Sequence, residues 1–218
     1  MRKFIILIFF SLCLSYFSFA QDANNPIDPS PTIGLFNRSY SDDFLRSQII
    51  ANMTVNEKWF VRVSAEQQFN YNSENQFKSV SLLVARLFQT KDGKHNFGIG
   101  GIISYIEPKG IAAGVNVVST SRLGKFKIIT LTTFQVGNNI STMEFQPGIY
   151  YDLPKGWYLR GHPRMIFDFE SNTNEVPIGA GFGKIIKSTS LITNLFFEPQ
   201  YDLAQNRSML YIGAKFLF

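Results

Sequence analysis

Apolar and polar residues alternate with a period of two along most of this chain. Twelve such segments recur, at 32–37, 46–55, 58–69, 78–89, 95–106, 110–121, 125–137, 143–152, 157–169, 175–186, 191–201 and 208–218. That period describes strands with one face on apolar surroundings and the other on polar ones. Turn-forming residues separate the segments, and no helical periodicity of useful length lies between them. The last segment, from Leu210 to Phe218, is the sharpest. It places Leu210, Ile212, Ala214, Phe216 and Phe218 on one face, and Tyr211, Gly213, Lys215 and Leu217 on the other.

The clearest hairpin spans 143–169. Leu153-Pro154-Lys155-Gly156-Trp157 suits a type I turn with Gly156 in the left-handed position, followed by a bulge. The register then sets Leu153 opposite Trp157, Tyr151 opposite Leu159 and Phe145 opposite Met165. One face carries Phe145, Ile149, Tyr151, Trp157, Leu159 and Phe169. The other carries Glu144, Gln146, Tyr150, Tyr158, Arg160, His162, Arg164 and Asp168. Pro147 and Pro163 remove ladder donors and predict local bulges. In 78–89 the parity is ambiguous. Val80, Leu82 and Val84 share a face with Arg86, whereas Leu83, Ala85 and Leu87 occupy the other, so either a partly apolar interior or a slipped register fits.

A hydrophobic terminal edge strand invites aggregation unless it is paired. A barrel closed in a membrane pairs it with the first strand. The expected fold is therefore all-β, an antiparallel transmembrane β-barrel of about twelve strands, ten to twelve with irregular edges. The other end agrees. Arg2 and Lys3 precede an apolar run from Phe4 to Leu14, and Ser18-Phe19-Ala20 supplies small residues before Gln21, the pattern of a secretory signal peptide. The chain thus divides into a signal peptide (1–20), a Pro- and Asn-rich periplasmic lead-in (21–31) and the barrel (32–218). Counting back from a periplasmic C-terminus makes Lys187–Ser190, 154–156, Gly124, 91–94 and 56–57 periplasmic turns. Glu170–Asn174, 203–207, 70–76 and 38–42 become longer extracellular loops, and the stretch near 108–110 is a short exception. Trp59, Trp157 and Phe218 fall near periplasmic strand ends, and Phe69, Phe169 and Tyr201 near extracellular ones, where aromatic girdles belong.

Composition removes several classes of function. The only cysteine, Cys13, lies within the signal sequence, so the mature chain offers no disulfide, thiolate or Cys-based metal site. Without Arg2 and Lys3 the 21 basic residues fall to 19 against 16 acidic ones. That excess is modest and dispersed, which speaks against nucleic acid. No apolar run after Ala20 reaches the length of a membrane helix. The glycines of 179–183 before Lys184 lack the spacing and the Ser/Thr of a phosphate loop. No cofactor or metal is expected.

The stretch Gln146–Phe218 contains Q-P-G-I-Y-Y-D-L-P-K-G-W-Y-L, V-P-I-G-A-G-F-G-K, E-P-Q-Y-D and the aromatic-ended terminal strand. It resembles the C-terminal third of bacterial outer-membrane barrels known as transporter-like "MetA pathway of phenol degradation" or "neuromedin U-like" proteins. The terminal strand likewise resembles the C-terminal signature of outer-membrane barrels in general. The resemblance implies a place in the outer membrane of a Gram-negative bacterium. It also implies insertion by the barrel assembly machinery through the strand ending at Phe218, and passage of small, often hydrophobic compounds.

Arginine at mid-bilayer on a lipid face costs about 2–4 kcal/mol, so Arg160 and Arg164 are expected inside. With them go Glu144, Gln146, His162 and Asp168, and by parity Arg62, Glu66, Glu198 and Lys215. These ten residues are the candidate lining of the lumen, either as a solute path or as a polar network that satisfies itself. His95, at a turn, is expected in solvent. Three functions follow: a non-enzymatic narrow channel for small molecules, a filled structural or adhesion barrel acting through its loops, and a lipid-active enzyme using His162. The last needs a nucleophile beside its base, for which only Ser64 or Ser104 are in reach.

Overall fold

The computed structural model describes residues 30–91 and 93–218. The expected signal peptide, Cys13 and nearly all of the lead-in lie outside the described residues. Twelve antiparallel strands close into a barrel. The first eight are Thr32–Tyr40, Phe44–Val55, Trp59–Asn70, Gln76–Gln89, His95–Ile106, Gly110–Leu123, Phe126–Gly137 and Ile140–Asp152. The ninth comes in two pieces, Trp157–Gly161 and Met165–Asp168, and the tenth in three, Thr173–Glu175, Pro177–Gly179 and Gly181–Lys187. Ile192–Asp202 and Arg207–Leu217 complete the ring. The twelfth strand pairs with the first along its whole length, from Thr32 opposite Leu217 to Tyr40 opposite Met209. No edge is left at that seam, which is how a chain ending on apolar residues avoids an exposed ladder.

Alternation sorts the side chains as expected. Ile33, Ile49, Val63, Ile99, Val115 and Leu195 stand exposed on the outer face, along with Trp59, Trp157, Phe69, Phe169 and Tyr201 near the strand ends. Their inward neighbours are buried or half-buried. An outer wall of this composition suits hydrocarbon, and closing the ladder at the seam removes the open edge that hydrocarbon would not tolerate. The fourth strand resolves its ambiguity: Leu83 and Ala85 face inward, and Val80, Leu82 and Phe88 face outward. Arg86 also points outward, its guanidinium 5.5 Å from the Trp59 ring. A register shift between Glu66 and Gln67 leaves Lys78 as an extra residue on the fourth strand, and this bulge lets Lys78 and Ser79 both reach the interior.

Three expectations need correction. The loops at the end away from the termini, residues 41–43, 71–75, 107–109, 138–139, 169–172 and 203–206, are no longer than the turns at the termini end. Pairing extends through Arg38, Ser39, Tyr40 and Asn70, which read as loop in isolation. The prolines produce ladder breaks, not bulges. The hairpin register predicted around 153–157 holds, with Tyr151 opposite Leu159 and Phe145 opposite Met165. It nevertheless sets Pro147 against Pro163, and the ninth strand breaks there. Ala180 likewise falls opposite Pro199, interrupting the tenth.

The turn at 153–156 is also not type I, because Lys155 takes φ 57° where that turn needs a right-handed residue. Gly156 follows at φ +77°, and a Cβ there would sit 2.6 Å from the Ile185 carbonyl oxygen. Gly156→Ala is therefore expected to lower stability by about 1–2 kcal/mol, read from urea unfolding of the refolded barrel.

Candidate functional site

All ten residues expected to line the interior do face it, but they divide into two levels. The upper level surrounds a cavity of about 410 Å³ towards the end away from the termini. Arg62, Glu66, Glu144, Arg164 and Asp168 line it. Arg164 is the hub. Its Nε and Nη2 donate to Glu144 at 2.9 and 2.8 Å, and its Nη1 pairs with Glu66 from the third strand. Gln146 lies just below and donates to Glu144. Asp168 is held at the mouth by Lys109, 3.0 Å away, and accepts the backbone N–H groups of Glu170 and Ser171. The same lining is also rich in hydroxyls: Ser64 pairs with Ser81 at 2.7 Å, and Ser104 donates to Gln135 at 2.6 Å. The serines the enzyme reading needs are therefore engaged with one another's wall and not with His162.

The lower level is packed. Arg160 Nε donates to Glu198 at 2.6 Å, with Glu198 fully buried and Arg160 only 5% exposed. Glu198 also accepts from the His162 backbone N–H at 2.9 Å and from Gln200 at 2.6 Å. The Arg160 guanidinium lies 3.6 Å from the centre of the Phe196 ring. His162 shares a 2.6 Å hydrogen bond with the Tyr150 hydroxyl through Nδ1. Lys215 stands on the same inward row as Tyr211 and Leu217. Beside this level, Phe60, Leu83, Ala85, Val118 and Leu131 form one apolar cluster; Ile129, Tyr150, Tyr158, Phe196 and Tyr211 form another. Together they fill the half of the lumen nearer the termini, so the interior is a polar vestibule above a packed floor.

Several inward residues escaped the sequence reading. Arg46 pairs with Glu175 at 2.7 Å, and Arg207 reaches Asp42 at 2.8 Å and Glu175 at 3.2 Å, forming an ionic cluster at the upper rim. Parity within 46–55 marks Arg46, but Glu175 and Arg207 sit at strand ends where alternation has no span to show itself. Arg38 and Lys78 were hidden for other reasons, one beyond the predicted end of its strand and one in a bulge. Every carboxylate that faces the lumen has a basic partner. Among the described residues, Arg38, Arg62 and Lys78 have no such counterpart. Arg38 is buried, with its Nε unbonded and its guanidinium 4.1 Å from the Tyr211 ring. Among the described residues no group of three or more His, Cys, Asp or Glu side chains could hold a metal ion. His95, expected in solvent, is half-buried and bonded through Nδ1 to Ser121 at 2.9 Å.

No protein-family model matches the chain, and a search of curated proteins finds no relative. Solved structures do match. The KdgM porin superposes with a TM-score of 0.63 at 5% identity, over 86% of this chain and 99% of that one. The NanC porin gives 0.64 at 8% identity, over 87% and 99%. The COG4313 outer membrane channel from Pseudomonas putida F1 gives 0.57 at 9% identity, over 93% and 100%. At these identities the likeness is one of fold: a twelve-stranded barrel of the outer-membrane kind. The phenol-degradation or neuromedin U-like family expected from the C-terminal third is matched by none of the family models.

Proposed function

We propose that this chain is an outer-membrane barrel serving as a narrow channel or transporter-like protein for small solutes, with a preference for anions. The observation that carries the preference is Arg62: it lines the cavity, and no carboxylate forms an ion pair with it, Glu144 acting on it only from further away. A fixed positive charge in a confined polar space raises the local concentration of anions and opposes cations. Arg38 and Lys78 add to that field, while Glu66 and Glu144 share the single charge of Arg164. The neighbours support the reading by analogy, since each is named a porin or channel and KdgM has been seen in complex with disordered oligogalacturonate. The hydroxyl-rich wall suits a polar solute better than the hydrophobic compounds implied by the family resemblance. The termini would face the periplasm and the cavity the exterior. Signal-peptide cleavage near Ala20, insertion by the barrel assembly machinery through the last strand, and a setting in outer-membrane lipid belong to the same proposal.

A filled barrel that conducts nothing is the second reading, favoured by the packed floor around Phe60, Leu83 and Val118. Its adhesion form loses support from loops of only two to five residues. Reconstitution in planar bilayers under a salt gradient distinguishes the two. The channel reading expects openings whose reversal potential shows anion selectivity, and Arg62→Glu is expected to move that potential towards cations. Absence of openings in the wild type supports the filled barrel. Cation selectivity in the wild type removes the anion preference.

A further inference from the structure

The two rims of the barrel carry opposite charge. Among the described residues, connections at the termini end contain Lys58, Lys91, Lys94, Lys125 and Lys155 against Glu57; those at the other end contain Asp42, Asp43, Glu74, Glu107 and Glu170 against Lys109. Within the basic rim one arrangement occurs twice. Trp59 on the third strand pairs directly with Arg86 on the fourth, and the Arg86 guanidinium lies 5.5 Å from the indole. Trp157 on the ninth strand pairs directly with Lys184 on the tenth, whose ammonium lies 4.8 Å from that indole. Each pair has a second cation in the adjoining turn, Lys58 beside Trp59 and Lys155 beside Trp157, and the Lys155 carbonyl accepts a hydrogen bond from the Lys184 ammonium. These are the only two tryptophans in the chain. Both are exposed on the outer face, and the two stations lie six strands apart, on opposite sides of the ring.

An indole at the level where hydrocarbon meets headgroups anchors the barrel's height in the bilayer. A cation stacked on it and a second one in the turn then stand at the depth of the lipid phosphates, where basic groups attract acidic lipid. We propose that Lys58–Trp59–Arg86 and Lys155–Trp157–Lys184 are two binding sites for the phosphate headgroups of acidic phospholipids in the leaflet at the termini end. The ring orders the cation stacked on it, so each site presents two positive groups to one phosphodiester. Phosphatidylglycerol fits better than phosphatidylcholine, whose own quaternary amine competes for the same phosphate. The inference rests on the membrane setting proposed above but not on conduction.

Native mass spectrometry of the folded protein, offered equal amounts of phosphatidylglycerol and phosphatidylcholine, tests it. The wild type is expected to retain up to two phosphatidylglycerols. Lys58→Glu with Arg86→Glu, or Lys155→Glu with Lys184→Glu, is expected to lose one, with at least roughly 25-fold weaker retention at the altered station, since each of the two basic residues near an anionic surface carries a factor of about five. The heat-dependent shift of the folded form on gels shows whether a variant has folded, and glutamine replacements at the same positions carry the test where the charge reversals do not fold. Unchanged retention in the fourfold variant overturns the inference, as does equal retention of the two lipids by the wild type. A wild-type protein that does not insert into vesicles at all overturns the membrane setting and the sites with it.

Discussion

Glu198→Ala is expected to destabilise the barrel by about 3–5 kcal/mol, the usual effect of stripping the partner from a buried charge. Glu198 is fully buried and holds three donors: Arg160, the His162 backbone N–H and Gln200. Without it, Arg160 keeps the Tyr158 hydroxyl and aromatic rings, and neither these nor the Phe196 ring 3.6 Å away can replace a carboxylate. Equilibrium unfolding in urea, in the same detergent or vesicles as the wild type, reads the loss. A change of about 1 kcal/mol or less, the size of an exposed ion pair, would mean that water reaches the pair. Replacing both partners, Arg160→Met with Glu198→Leu, is expected to recover much of the stability, because no charge is then stranded.

Gly114→Val is expected to abolish the folded, heat-modifiable form. A Cβ at Gly114 would overlap the Phe134 carbonyl oxygen and lie 2.7 Å from its carbon and 2.8 Å from the Gln135 Cα. All three atoms are backbone of the neighbouring strand, so no rotamer change relieves the clash. The sixth and seventh strands would have to separate, and a barrel cannot widen at one seam without breaking its ladder. Gly101→Ala supplies the contrast, because its Cβ would meet only the Gly114 carbonyl oxygen, at 3.7 Å. That variant is expected to fold as the wild type does. A folded Gly114→Val barrel would show that the two strands can part locally.

Much of the wall was legible in advance. Trp157 and Leu159 outside with Tyr158 and Arg160 inside follow from parity once the turn at 153–156 is placed, and a register error there would have reversed them all. The loops were less legible. Arg38 and Asn70 look like loop residues by composition, yet each is paired because its neighbour across the ladder, Tyr211 or Phe44, is already in place. The inward position of Lys78 depended on a bulge that no alternation announces.

What the alternation determined alone is which side of the wall each residue faces, because the pleat turns every second side chain the same way. What only the tertiary structure decided is which inward residues meet. Strand stagger around a barrel sets the height of every side chain along the axis. Arg164 could therefore find Glu66, 98 residues away, while Arg62, on the same strand as Glu66, feels Glu144 without forming an ion pair. The same stagger stacked the apolar inward residues into a floor and the polar ones into a vestibule, and this division underlies the proposed solute preference.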